Sequence, residues 1–206
     1  MTARPHRHTP DREQIAALPA FERLAPGQIE RVDDEVAAKQ AARILAAHPV
    51  WGFDTESKPT FVRDQPSGGP HVVQLATEEQ AWVFQLHDPA CTSIVAGLLS
   101  DPKHLKAGFG LGDDHRRIVA KLAIEPAGVL DLNHVFRRLG YRKDMGVRAA
   151  VAVMFGQRFA KSKKAATSNW AARQLSDAQL SYAANDAWAA ARVHAALVAA
   201  GDLASP

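Results

Sequence analysis

The chain has 206 residues, 47% of them hydrophobic and 23% charged, which implies one globular domain with a self-sufficient core. A single cysteine, Cys91, excludes an intrachain disulfide and any cysteine-based zinc centre, and fits a reducing, cytoplasmic setting. No apolar run reaches the ~20 residues of a membrane span, and a formal charge of +3 with a pI near 9.2 tilts the partner toward polyanions.

The opening "MTARPHRHTP" lacks the apolar core of a signal peptide and is read as disordered. Residues 1–27 form an N-terminal extension, with "AALPAFERL" packed on the domain, and 28–206 form the domain proper. "DDEVAAKQAARILAAHP" reads as a helix with acids at its start, a stripe of Val36, Ala37, Ala41, Ile44 and Leu45, and Pro49 at its end. "VWGFDTES", "HVVQLA" and "AWVFQL" read as three strands of an antiparallel meander over residues 50–86. "TSIVAGLLSDP" is a helix, "HLKAGFG" a strand, "DDHRRIVAKLAI" a helix, and "AGVLDL" a short strand with Asp131 capping the next helix. Helices at "NHVFRRLG" and "VRAAVAVMFG", the polar loop "QRFAKSKKAATSNW" and a long helix from Ser176 to Gly201 complete the chain. Strands first, then helix and strand in alternation, describe an α/β fold with a mixed sheet flanked by helices.

Chemistry enters through acids in unusual places. In a strand, residues two apart face one side at about 6.6 Å spacing, so Asp54 and Glu56 project together with Val50 and Gly52, and Trp51 and Phe53 face the other way. Unpaired carboxylates are costly to bury, and a bound divalent cation is one of the few partners that satisfies two at once. D-x-E is weak alone, since Asp33-Asp34-Glu35 is a second copy explained by the helix dipole. In "GLGDDHRRIVAKL", helical spacing puts Asp113 on the face of Arg117 and Lys121, and Asp114 on the core-facing side of Ile118 and Leu122. A rotated helix would exchange the two acids. In "YAAND", Tyr182 and Asp186 lie one turn apart on one helical face. With two tyrosines in the chain, Y-x-x-x-D arises by chance roughly 0.1 times, so it is the stronger signal.

"FDTES", "GLGDD" and "YAAND", in that order, resemble the three motifs of the DEDD-superfamily 3′-5′ exonucleases, in the subgroup that carries a tyrosine before its last aspartate. "KSKKAATSNWAARQLSDAQLSYAANDA" is similar to the segment before the last motif in Werner-helicase-type exonuclease domains and, more distantly, ribonuclease D. The resemblance covers about residues 49–197. It implies a ribonuclease H-like fold and removal of nucleotides from the 3′ end of a single-stranded or 3′-recessed nucleic acid, DNA slightly ahead of RNA. Two divalent cations, Mg²⁺ or Mn²⁺, are also implied. Asp54, Glu56 and Asp186 would hold the cation that activates water, Asp54 and Asp114 would serve the second, and Tyr182 would orient the attacking water. Lys161, Lys163, Lys164, Ser168 and Asn169 would contact the strand, with Trp170 as a core anchor. "RRLGYRK", with Arg137, Arg138, Arg142 and Lys143, is either a second strand contact or an exposed helix end. His71, His104, His115 and His134 lack metal-ligand spacing and read as structural or surface groups. The alternative is a catalytically inactive binding module of the same fold. All four acids and the tyrosine are present, which argues against it.

Overall fold

The computed structural model describes residues 7–60 and 68–204. Residues 1–6, most of the stretch read as disordered, lie outside the described residues. Six strands form one sheet in the order β1-β4-β3-β2-β5-β6: β1 (Ile29–Val32), β2 (Val50–Glu56), β3 (Val72–Ala76), β4 (Ala81–Gln85), β5 (Leu105–Gly108) and β6 (Val129–Asp131). β2, β3 and β4 are the antiparallel meander expected from their alternation, while β5 and β6 add in parallel on the other side of β2. The arrangement is the mixed α/β sheet that the sequence implied.

β1 was not anticipated. It pairs in parallel with β4 at the sheet edge, and only Val32 of its four residues is buried. A strand that buries one side chain carries no apolar pattern to read.

The sheet separates two cores. On one face Trp51, Phe53, Val73, Leu75, Trp82 and Phe84 pack against α2 (Glu35–Leu45), α3 (Pro89–Ser100) and α4 (Gly112–Leu122). α2 corrects the expected stripe: Ala38, Ala41 and Leu45 are buried, while Val36 is 75% exposed and Ile44 faces outward. Small alanines let the helix lie close, so the contacting face is marked by size and not by bulk.

On the opposite face lie α5 (Leu132–Arg138), α6 (Gly146–Phe155) and α8 (Asp177–Ala199). The expected capping box opens α8: Ser176 and Gln179 each accept from the other's backbone N–H. Ala183, Ala184, Ala187, Ala189 and Ala190 are all buried, because the sheet covers one side of α8 and α6 covers another. A helix packed on several sides loses its amphipathic stripe. α1 (Arg12–Ala16) and the segment after it run along this face, and Phe21 sits among Phe155, Phe159 and Trp188. The expected loop at 157–170 contains one helical turn, α7 (Lys163–Ala166), capped by Ser162. Among the described residues no helix is long and apolar enough to cross a membrane.

Candidate active site

The site forms where β2 meets α8. At Gly52 a Cβ would stand 1.9 Å from the carbonyl oxygen of Ala187 and 2.7 Å from the nitrogen of Ala191, so only glycine lets the helix backbone lie on the strand. Two residues further along β2 on the same face is Asp54, and one residue before Ala187 is Asp186. The close approach thus sets the distance between the acids. Asp54, Glu56 and Asp186 each offer a carboxylate oxygen, and these oxygens lie within 4.8 Å of one another. Asp186 is buried, whereas Asp54 and Glu56 are partly exposed.

Asp114 is outside that group of three. It lies on the sheet side of α4, where Thr55 Oγ1 donates to its Oδ1. Asp113 points away and pairs with Arg116 instead of Arg117, the expected partner. Asp131 caps α5 through Asn133 N and also accepts from the backbone nitrogens of Gly110 and Leu111, so the cap doubles as a clamp on the start of α4.

Crowded carboxylates disfavour their own ionisation. Burial first, then the charges of Asp186 and Asp114, pushes the Asp54 carboxyl up to about 8. Burial and then Asp54 push Glu56 up to about 9. Asp186 and Asp114 are raised as well, each chiefly by burial. The Tyr182 hydroxyl is raised above its ordinary value by burial and by Asp186.

Lys161 stands against these acids. Its ammonium lies 2.7 Å from Asp186 Oδ2 and 5.4 Å from the centre of the Tyr182 ring. Burial acts to lower its proton affinity, but Asp186 and Asp54 outweigh that and keep it charged. Among the described residues, Lys161 and the Tyr182 hydroxyl approach Asp186, but neither of its buried oxygens receives a well-directed hydrogen bond. Three converging carboxylates with raised proton affinity, and buried oxygens short of donors, form a donor set suited to a hard divalent cation.

The other expected contacts are more dispersed. Lys163 and Lys164 are exposed on α7. Ser168 Oγ donates to Ala165 O, and exposed Asn169 accepts from Ala171 N through Oδ1. Trp170 is 1% exposed, a core anchor 5.9 Å from the Tyr182 ring. Of the histidines, His104 stacks on Trp51 and bonds Asp101, and His115 pairs with Glu125. Gln74 was not singled out from the sequence: it is fully buried directly opposite Asp54 in the β2–β3 register. A lone amide in the apolar run of "HVVQLA" was the signal, and cross-strand pairing was needed to interpret it.

Residues 29–201 match the family described as 3′-5′ exonuclease. The human exonuclease mut-7 homolog is 30% identical over 184 residues, covering 75% of this chain and 20% of that protein. DNA polymerase I of Aquifex aeolicus (strain VF5) is 29% identical over 157 residues, covering 76% of this chain and 25% of its own length. The chain thus spans a quarter or less of these two relatives. Among solved structures, the Aedes aegypti Nibbler EXO domain superposes with a TM-score of 0.73 at 21% identity, covering 86% of this chain and 90% of that one. Escherichia coli RNase D superposes with a TM-score of 0.69 at 22% identity, covering 85% of this chain and 46% of that one. The shared architecture is ribonuclease H-like. Its match over most of its length assigns the chain to the 3′-5′ exonuclease family.

Proposed function

We propose that this protein removes nucleotides one at a time from the 3′ end of a single-stranded or 3′-recessed nucleic acid, DNA somewhat faster than RNA. The observation that carries this reading is the convergence of Asp54, Glu56 and Asp186 within 4.8 Å at the contact of β2 and α8. Asp54, Glu56 and Asp186 would hold one divalent cation, and Asp54 with Asp114 would serve a second, either Mg²⁺ or Mn²⁺. When bound, such cations supply an activated water and charge stabilisation for an in-line displacement at phosphorus. Tyr182 orients the attacking water, its hydroxyl kept protonated by burial and by the charge of Asp186. Lys161 serves as cationic partner to Asp186 and to an incoming phosphate, and Lys163, Lys164, Ser168 and Asn169 steady the strand beside it. Residues 28–206 constitute the catalytic domain. Buried Cys91, its thiol pushed up to about 12 chiefly by burial, suits a cytoplasmic protein that has no redox role for it.

The test is a time course on 5′-labelled single-stranded DNA and RNA of matched sequence, with Mg²⁺, Mn²⁺ or EDTA, alongside Asp54→Ala. A ladder that shortens from the 3′ end only with metal, and is absent for Asp54→Ala, is the expected result, and the faster polymer names the substrate class. Strand binding without any ladder would replace this reading with an inactive binding module.

A further inference from the structure

Lys161 belongs to two places at once. It faces the acid cluster, and it also lines a groove of about 550 Å³ between α1 and α6, together with Arg12, Arg148 and Arg158. Arg148 donates to the Lys161 carbonyl and so ties the groove to the site. A second groove of about 400 Å³ is lined by Arg7, His8, Thr9, Arg142 and Lys143. The two are joined at Met145, which lines the first and accepts a hydrogen bond from Thr9 of the second. Arg7 is fixed there by its backbone bond to Gly140 and by its guanidinium over the Tyr141 ring, 5.9 Å from the centroid.

The linings are one-sided in charge. Lys161, Arg12, Arg148 and Arg158 line one groove, Arg7, Arg142 and Lys143 the other, and among the described residues no carboxylate lines either. The whole chain carries 25 Lys and Arg against 22 Asp and Glu, so an unmixed run of seven cations departs from its average surface. Two acids beside these cations in sequence are committed elsewhere: Asp11 caps α1, and Asp144 pairs with Arg137. Two neighbouring cationic grooves, the first reaching the acid cluster through Lys161, match the regular charge of a sugar-phosphate backbone.

We propose that the two grooves form one track for the strand upstream of the 3′ end, and that residues 7–16 build one wall of it. The inference rests on the exonuclease reading for its direction. Its N-terminal wall lies before residue 29, where the family match begins, so Arg7 and Arg12 stand outside the matched stretch.

Binding in EDTA, where no strand is cut, tests the track apart from the chemistry. Fluorescence anisotropy of 5′-fluorescein-labelled oligothymidylates, from a dinucleotide to about a dozen residues, would be compared for wild type and Arg12→Ala/Arg142→Ala. Lys39→Ala/Arg43→Ala, on the opposite face of the sheet, removes the same charge as a control. The track variant should bind the longest strand at least about tenfold more weakly, and its log–log salt slope should fall by roughly 0.7 for each phosphate that is no longer neutralised. The control pair should bind it nearly as wild type does. Equal losses in the two variants would overturn the track, and equal competition by polyglutamate would overturn nucleic acid as its occupant. A wild-type protein that binds strands but never shortens them would sink the exonuclease reading and leave the track standing. A Lys161→Ala variant provides a further binding comparison at the junction if the double variant misfolds.

Discussion

Asp54 shares with Glu56, Asp186 and Asp114 the cost of crowding buried carboxylates. Its carboxyl, raised to about 8 by burial and by Asp186 and Asp114, is held protonated over much of the neutral range without metal. Asp54→Asn removes the charge and keeps an oxygen to accept the 2.8 Å bond from Thr55 N. In EDTA at pH 9 this variant should therefore unfold at a higher temperature than wild type, and the gap should narrow steadily toward pH 4, where the folded and unfolded carboxyls are both largely protonated. Hydrolysis should be lost at every pH. A variant less stable than wild type at pH 9 would refute the account of like-charge strain. Tyr182→Phe separates chemistry from packing, because the ring keeps its place beside Trp170 and Lys161. Turnover should drop about a hundredfold, in the range expected for removing a hydroxyl that guides proton transfer, with strand affinity little changed. A parallel loss of affinity would make the hydroxyl a binding group.

Between elements, the contact of α8 on β2 carries the site. Gly52→Ala places a Cβ against the backbone of Ala187, which cannot yield without moving the helix. The cost should be roughly 1–3 kcal/mol of stability, read by denaturant unfolding, and activity should fall further than that loss explains because Asp186 moves with α8. Full activity would show that the acids tolerate a wider spacing. The strand alternation of β2 and the i, i+4 pair on α8 were legible because each rests on local periodicity, and so was the sheet-side position of Asp114. The partner of Gly52 was not, since it lies 135 positions away. β1 escaped because an edge strand can bury one residue and still pair; on α2 Ala41 and Leu45 were legible, but Ala38, which contacts through smallness, was missed and the bulkier Val36 and Ile44 were misplaced. Lys161 reads as a loop cation in sequence. Only the folded chain brings it against Asp186.

For the molecule as a whole, the acids make stability depend on pH and on cations. Carboxyls whose folded values are raised contribute stability that is full below their unfolded values near 4 and is lost as pH climbs through about 8 to 9. The metal-free melting temperature should accordingly fall from pH 5 to pH 9. Mn²⁺ should restore it, with the largest gain at high pH, by about 2.7 kcal/mol when present at about 100 times its Kd. Scanning calorimetry with and without Mn²⁺ checks both signs, and a pH-independent gain would refute the linkage. The same arrangement bears on biosynthesis. Asp54 and Glu56 leave the ribosome early, but Asp186 belongs to α8, the last helix among the described residues. A nascent chain therefore holds only part of its carboxylate cluster until α8 has left the ribosome and packed on β2.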